Sequence, residues 1–126
     1  MNKVILTGNI CKDISLAQTQ AGTKVVSNTI AVKRDFKNAQ GEYESDFIPF
    51  VAWNSQADFL DKYANKGDKI ELCGRWQVRT YQDQQGMNRQ VNEVVAENLS
   101  ILINKAKEET VDSLQPIEVK ADDLPF

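Results

Sequence analysis

The sequence predicts an all-β fold with one short helix: a five-stranded barrel followed by a flexible acidic tail. Three observations carry that prediction. Most of the first 104 residues fall into β-branched segments with period-two alternation, divided by polar turns that contain glycine. One stretch, between the third and fourth of these segments, has helical spacing instead. Past residue 104 the alternation gives way to charges, Gln, Ser and Pro with few aromatics, a composition that does not pack into a core. The organisation expected is a domain over 1–104 and a mobile tail over 105–126.

The first strand runs from Lys3 to Ile10. Val4 and Leu6 share one face, and Lys3, Ile5 and Thr7 the other. Gly8 permits a bend, and the alternation of Ile14, Leu16 and Thr19 continues as a bent or second segment. Gln20-Ala21-Gly22-Thr23 is a turn. Val25 to Phe36 is a long second strand, with Val26, Ile30 and Val32 on one face and Arg34 and Phe36 beyond them. Its other face carries Val25, Ser27, Thr29, Ala31 and Lys33. Lys37 to Glu42 is a polar loop.

Tyr43 to Trp53 is the third strand. Ile48, Phe50 and Ala52 make one face. Phe47, Pro49, Val51 and Trp53 make the other, which is too aromatic for a face turned to water without a purpose; the alternative is burial of both faces against a partner subunit. Pro49 donates no ladder hydrogen bond and marks a bulge or an edge. Asn54 or Ser55 caps the helix, with Ser55-Gln56-Ala57-Asp58 resembling a capping box. Ala57, Leu60, Tyr63 and Ala64 fall at helical spacing, Tyr63 is read as core packing, and Gly67 is a natural stop.

Asp68 to Leu72 opens the fourth strand and leads into a hairpin from Gly74 to Val95. Trp76, Val78 and Thr80 share one side of it and are assigned to the core. Arg75, Gln77, Arg79 and Tyr81 share the other, a polar row mixing two guanidinium groups with an aromatic ring. That mixture suits unstacked bases on a charged backbone; the plain alternative is a solvated strand with two arginines for solubility. Val94, Ala96, Leu99, Ile101 and Ile103 close the domain. Strand, strand, strand, helix, strand, strand is the order of the OB-fold, a five-stranded Greek-key barrel that binds oligonucleotides or oligosaccharides on its outer face.

Composition narrows the chemistry. With no histidine and two scattered cysteines, His-based nucleophilic sites and the usual zinc sets are excluded. Carboxylates alone can hold Mg²⁺, but the acids fall singly, so a metal-dependent nuclease is a weak third reading, and no enzyme and no cofactor are expected. Cys11 and Cys73 are read as two reduced, buried thiols, with a long-range disulfide as the alternative. No apolar run approaches the ~20 residues of a membrane span, and Met1 to Gly8 is too short an apolar block for a signal peptide. A cytoplasmic protein with no membrane association is expected. Net charge is −3. Residues 105–126 set three lysines against six acids and so carry that whole excess, while the first 104 residues balance.

Several stretches together resemble one family, the bacterial-type single-stranded DNA-binding proteins. Asn2-Lys3-Val4-Ile5-Leu6-Thr7-Gly8-Asn9 looks like the family's opening strand. Gly74-Arg75-Trp76-Gln77-Val78-Arg79-Thr80-Tyr81 is similar to its Gly-Arg-apolar-x-x-Arg-x-aromatic strand, and Asn92-Glu93-Val94-Val95-Ala96 to its last strand. Asp122-Asp123-Leu124-Pro125-Phe126 resembles its acidic terminus. The resemblance covers roughly residues 2–102 and the last five. It implies an OB-fold homotetramer that coats single-stranded DNA in replication, recombination and repair, bound to the nucleoid, and recruits enzymes of those processes through the tip at Asp122, Asp123, Leu124, Pro125 and Phe126. Carried over by position, Phe36, Phe47, Trp53 and Tyr81 would stack bases. Arg34, Arg75 and Arg79 would face phosphates, with Lys3 and Lys33 in support.

Two departures stand out. Pro49 replaces a side chain that is often polar or basic in the family, and Trp76 sits where the family has an aliphatic core residue. The short charged stretch after Asn104 in place of a long Gly-, Gln- and Pro-rich linker suggests a phage- or plasmid-encoded member acting in its host's cytoplasm. The competing function on the same fold is a primosomal accessory protein or an RNA-binding cold-shock-like module.

Overall fold

The computed structural model describes residues 1–104. The tail, with the tip at Asp122 to Phe126, lies outside the described residues. In chain order the elements are β1 (Val4–Ile10), β2 (Leu16–Gln18), β3 (Lys24–Lys37), β4 (Tyr43–Trp53), α1 (Ser55–Tyr63), β5 (Lys69–Gln82) and β6 (Asn88–Ile103).

Five of the strands close into a ring. β1 pairs with β5, β5 with β6 and β4 with β3, all antiparallel, while β6 runs parallel to β4. β3 then returns to β1 at Asn9↔Ala31 and Ile10↔Ile30. β2 continues along the same edge of β3, with Leu16 opposite Val26, so β1 and β2 are the two limbs of one bent strand. This is the OB barrel that the order of elements predicts.

Alternation decides what goes inside. Ile10, Val26, Ile30, Phe50, Ala52, Ile70, Leu72, Val94 and Leu99 form the core with Ala57, Leu60 and Ala64. The last three put α1 across the barrel end at which β4 finishes. The phase of β6 breaks where Glu97 bulges between the pairs Gly74↔Ala96 and Cys73↔Asn98. The bulge brings Leu99 inward after Val94 and Ala96. A second shift, between Lys69 and Ile70, leaves Ile103 exposed rather than buried as its spacing suggests. Two glycines allow strands to meet at the seams: a Cβ on Gly8 would strike the carbonyl of Ala31, and one on Gly74 that of Val95.

Three hairpin turns share one construction. Thr19–Thr23, Asn38–Glu42 and Asp83–Met87 each pair the first N–H with the last carbonyl. In each, the fourth residue is a glycine at positive φ (Gly22, Gly41, Gly86) whose N–H donates to the first carbonyl. The first side chain accepts from the turn backbone: Asn38 Oδ1 from Gln40 and Glu42, Asp83 Oδ1 from Gln85 and Met87.

Several expectations are corrected. Asn54 is the N-cap residue, but at φ 54° and ψ −117° it lies outside the extended backbone typical of a cap and makes no side-chain cap bond, and its N–H donates to the Lys24 carbonyl at 2.9 Å. Asp58 pairs with Lys24 at 3.1 Å. The helix stops at Tyr63 because Ala64 turns extended, and Gly67 serves the following turn, donating to Ile10. Tyr63 is exposed, its ring tilted against Phe59 at 5.5 Å. Cys11 and Cys73 are free and half-buried. Trp76 and Val78 are exposed, since the barrel wall ends near Gly74 and the hairpin continues past it.

Candidate nucleic-acid interface

Cross-strand register builds one continuous outer face. Arg75 lies opposite Val95, Val95 aligns with Val51, and Val51 lies opposite Ser27, a row across β5, β6, β4 and β3. Directly opposed residues project to the same side. The next row, Trp76, Val94, Phe50 and Asn28, therefore points inward: Val94 and Phe50 belong to the core and Asn28 is buried, whereas Val51 and Val95 of the outward row are buried but lie outside that core. On the outward phase β5 adds Gln77, Arg79 and Tyr81, β4 adds Phe47, Pro49 and Trp53, and β3 adds Ala31 and Lys33.

Because β4 and β6 are parallel, the β3–β4 and β5–β6 hairpins leave the barrel at the same rim. α1 occupies the opposite end. The surface is thus a shallow saddle between two arms, with Phe47 on one and Tyr81 on the other. Phe47 is 68% exposed, Tyr81 46% and Trp53 38%. Trp53 follows the buried Ala52, whereas Tyr81 lies on the part of β5 where both faces are exposed. Phe36, 70% exposed, lies on the β3 side of the first arm.

The cations differ in what they already touch. Arg75 makes a 3.4 Å hydrogen bond to Gln77 and meets no carboxylate within ion-pair distance among the described residues. Arg79 donates to Glu93 at 2.8 Å and stands 5.8 Å from the Tyr81 ring centroid. Glu93 is buried mid-surface and also accepts from Gln77, so its charge is answered by Arg79. Arg34 is held by Asp46 and Glu44, both at 2.8 Å. Its bonds to Asp46 first, and the neighbouring charges second, raise the guanidinium's pKa and lower that of the Asp46 carboxyl. Lys3 pairs with Glu97 at 2.9 Å, a contact that raises its pKa. Lys33 lies over the Tyr43 ring at 4.2 Å.

Of the sequence-predicted residues, Phe47, Trp53, Tyr81, Arg75, Arg79 and Lys33 therefore share the outward phase of the saddle strands. Arg34 shares the β3–β4 arm but spends its charge on its own acids, and Lys3 belongs to the β1–β6 side. Lys37, which faces Tyr43 across the first arm, escapes a reading that treats Lys37 to Glu42 as loop, whereas Tyr43 is read as the first residue of its strand without a role. Their signal is the odd-numbered phase of β4, which carries Tyr43, Ser45 and Phe47 together.

The chain matches the model of the "Single-strand binding protein family" over residues 1–102. It is similar to "Single-stranded DNA-binding protein 3" of Streptococcus agalactiae, 36% identical over 137 aligned positions that cover all of this chain and 99% of the relative. A "Single-stranded DNA-binding protein" of Staphylococcus aureus is 35% identical, again over all of this chain and 99% of the relative. That of Streptococcus mutans is 43% identical over 86% of this chain and 66% of its own length.

Proposed function

The chain belongs to the single-strand binding protein family, and from that membership we propose how its surface works. It binds single-stranded DNA, and it does so as a binding protein and not as an enzyme. Bases stack on Phe47, Trp53, Tyr81 and Phe36, while Arg75, Arg79 and Lys33 meet phosphates. Arg34, held by two carboxylates, and Lys3, paired with Glu97 away from the saddle strands, contribute less; Arg79 faces one carboxylate, Glu93, which Gln77 also satisfies. The observation that carries this reading is the outward phase of four core strands, where exposed rings stand beside guanidinium groups at the mouth of two arms. Stacking accepts any base because every base has a π face, so sequence preference is slight. Duplex hides those faces and is a poor ligand.

Trp53→Ala and Tyr81→Ala are each expected to weaken oligo-dT binding by about 1–3 kcal/mol with the fold intact. Folded variants that bind like the parent would place the stacking surface elsewhere.

We also propose a homotetramer. Among the described residues Val4 to Gly8 pairs with β5 alone, which leaves its other edge to a second copy, with Ile5 70% exposed there. The exposed Trp76 and Val78 offer a further apolar face. Sedimentation as a monomer at micromolar concentration would rule this out. Acting in the cytoplasm on nucleoid DNA, the assembly would recruit replication, recombination and repair enzymes through Asp122, Asp123, Leu124, Pro125 and Phe126, acids that steer the encounter beside a ring that fits an apolar pocket. Deleting 122–126 should abolish capture of such enzymes and leave DNA binding intact; retention of every partner would refute it.

A further inference from the structure

We propose that Tyr43 is an additional base-stacking platform, with Lys33 and Lys37 as its phosphate contacts, and that it carries the bound strand outward along the β3–β4 arm. The proposal deepens the preceding reading and rests on it. Tyr43 opens β4 and is 47% exposed. It shares the odd-numbered phase of that strand with Ser45 and Phe47, four residues and about 13 Å further along. Ser45, the small residue between the two rings on that face and opposite Lys33, leaves the path between them low.

Lys33 and Lys37 bring their ammonium groups to 4.2 Å and 5.7 Å from the Tyr43 ring centroid. Neither is paired with a carboxylate within 4.0 Å among the described residues. The acids Glu44 and Asp46, on the alternate phase of β4, are taken up by Arg34, and Glu44 also accepts from Asn38 at 3.1 Å. Asp35 is the one acid in the hollow beside the ring, which Lys33, Arg34 and Tyr43 complete. The arm thus presents a ring with two available cations, next to an ion-pair network in which Arg34 takes up Glu44 and Asp46. A ring polarised by ammonium groups at its face or edge still has free surface for a base, and the same ammonium groups lie where the adjoining phosphates must pass. The turn at Asn38–Glu42, fixed by both Asn38 Oδ1 bonds, presents the ring with little left to order on binding.

The test measures affinity for oligo-dT over a series of lengths and salt concentrations, with the full chain and its Tyr43→Phe, Tyr43→Leu and Tyr43→Ala variants. Thermal melting checks each fold. Tyr43→Ala and Tyr43→Leu are expected to bind long oligo-dT about fivefold to a hundredfold more weakly, and to reach full affinity on a shorter oligonucleotide than the parent. Tyr43→Phe keeps the parent's values. Lys33→Ala with Lys37→Ala should lower the log–log salt slope by up to about 1.4. If the parent binds and both the Ala and Leu variants match it at every length, the ring merely orders two lysines and the proposal falls alone. If the parent itself does not bind, this proposal and the preceding reading fall together.

Discussion

Arg75 and Arg34 bring the same group to one domain in different surroundings, and the difference is measurable. A guanidinium without an acid displaces counterions when it meets a phosphate, whereas one already held by two carboxylates exchanges partners for little gain. Arg75→Ala should therefore lower the log–log salt slope of oligo-dT binding by up to about 0.7, and Arg34→Ala by clearly less. Equal drops would show that DNA pulls Arg34 away from Asp46 and Glu44. The sequence gives Arg34 no such partners by proximity, since they lie ten and twelve residues away and come into reach through the β3–β4 register alone. For Trp53, by contrast, alternation against the buried Ala52 is enough to predict an outward side chain, whereas Tyr81 has exposed neighbours on both sides.

Among the elements, the two arms depend on the turns at their tips. Asp83 accepts from Arg89 at 2.9 Å and from the N–H groups of Gln85 and Met87. The bond from Arg89 above all, then that from Met87, holds its carboxyl below the ordinary 3.8. A carboxyl depressed in the folded state stabilises it fully above its unfolded pKa, and that contribution fades as pH falls through the lower folded value. Amide exchange at Gln85 and Met87 should therefore stay slow through pH 3.8 and quicken only in stronger acid, and Asp83→Asn should remove that step. Loosening of the parent's turn above the ordinary carboxylate range would contradict this. Such turns are half legible in the sequence: each glycine marks one, but the Thr, Asn or Asp three positions earlier is recognisable only once the closing bonds are known. The helix starts where the sequence places it, with Asn54 as N-cap, but the capping box itself does not form. A capping box is a local pattern, while Asn54 is held by Lys24 on another strand. Trp76 shows a further limit, because alternation reports which side a residue faces and not how far along the strand that side stays covered.

For the molecule as a whole, the ring of five strands was legible from the order of segments and from one helical stretch, since few topologies accommodate both. The saddle needed more: only the parallel β4–β6 pairing puts both arms at one rim and so makes Phe47 and Tyr81 parts of one surface. This surface is expected to hold exposed bases and not paired ones. Intrinsic Trp and Tyr fluorescence during titration with oligo-dT, and in parallel with a duplex of equal length, tests it most directly. Saturable quenching by oligo-dT that weakens with salt, against little response to duplex, is the predicted result. Equal quenching by duplex, or none by oligo-dT, would contradict it.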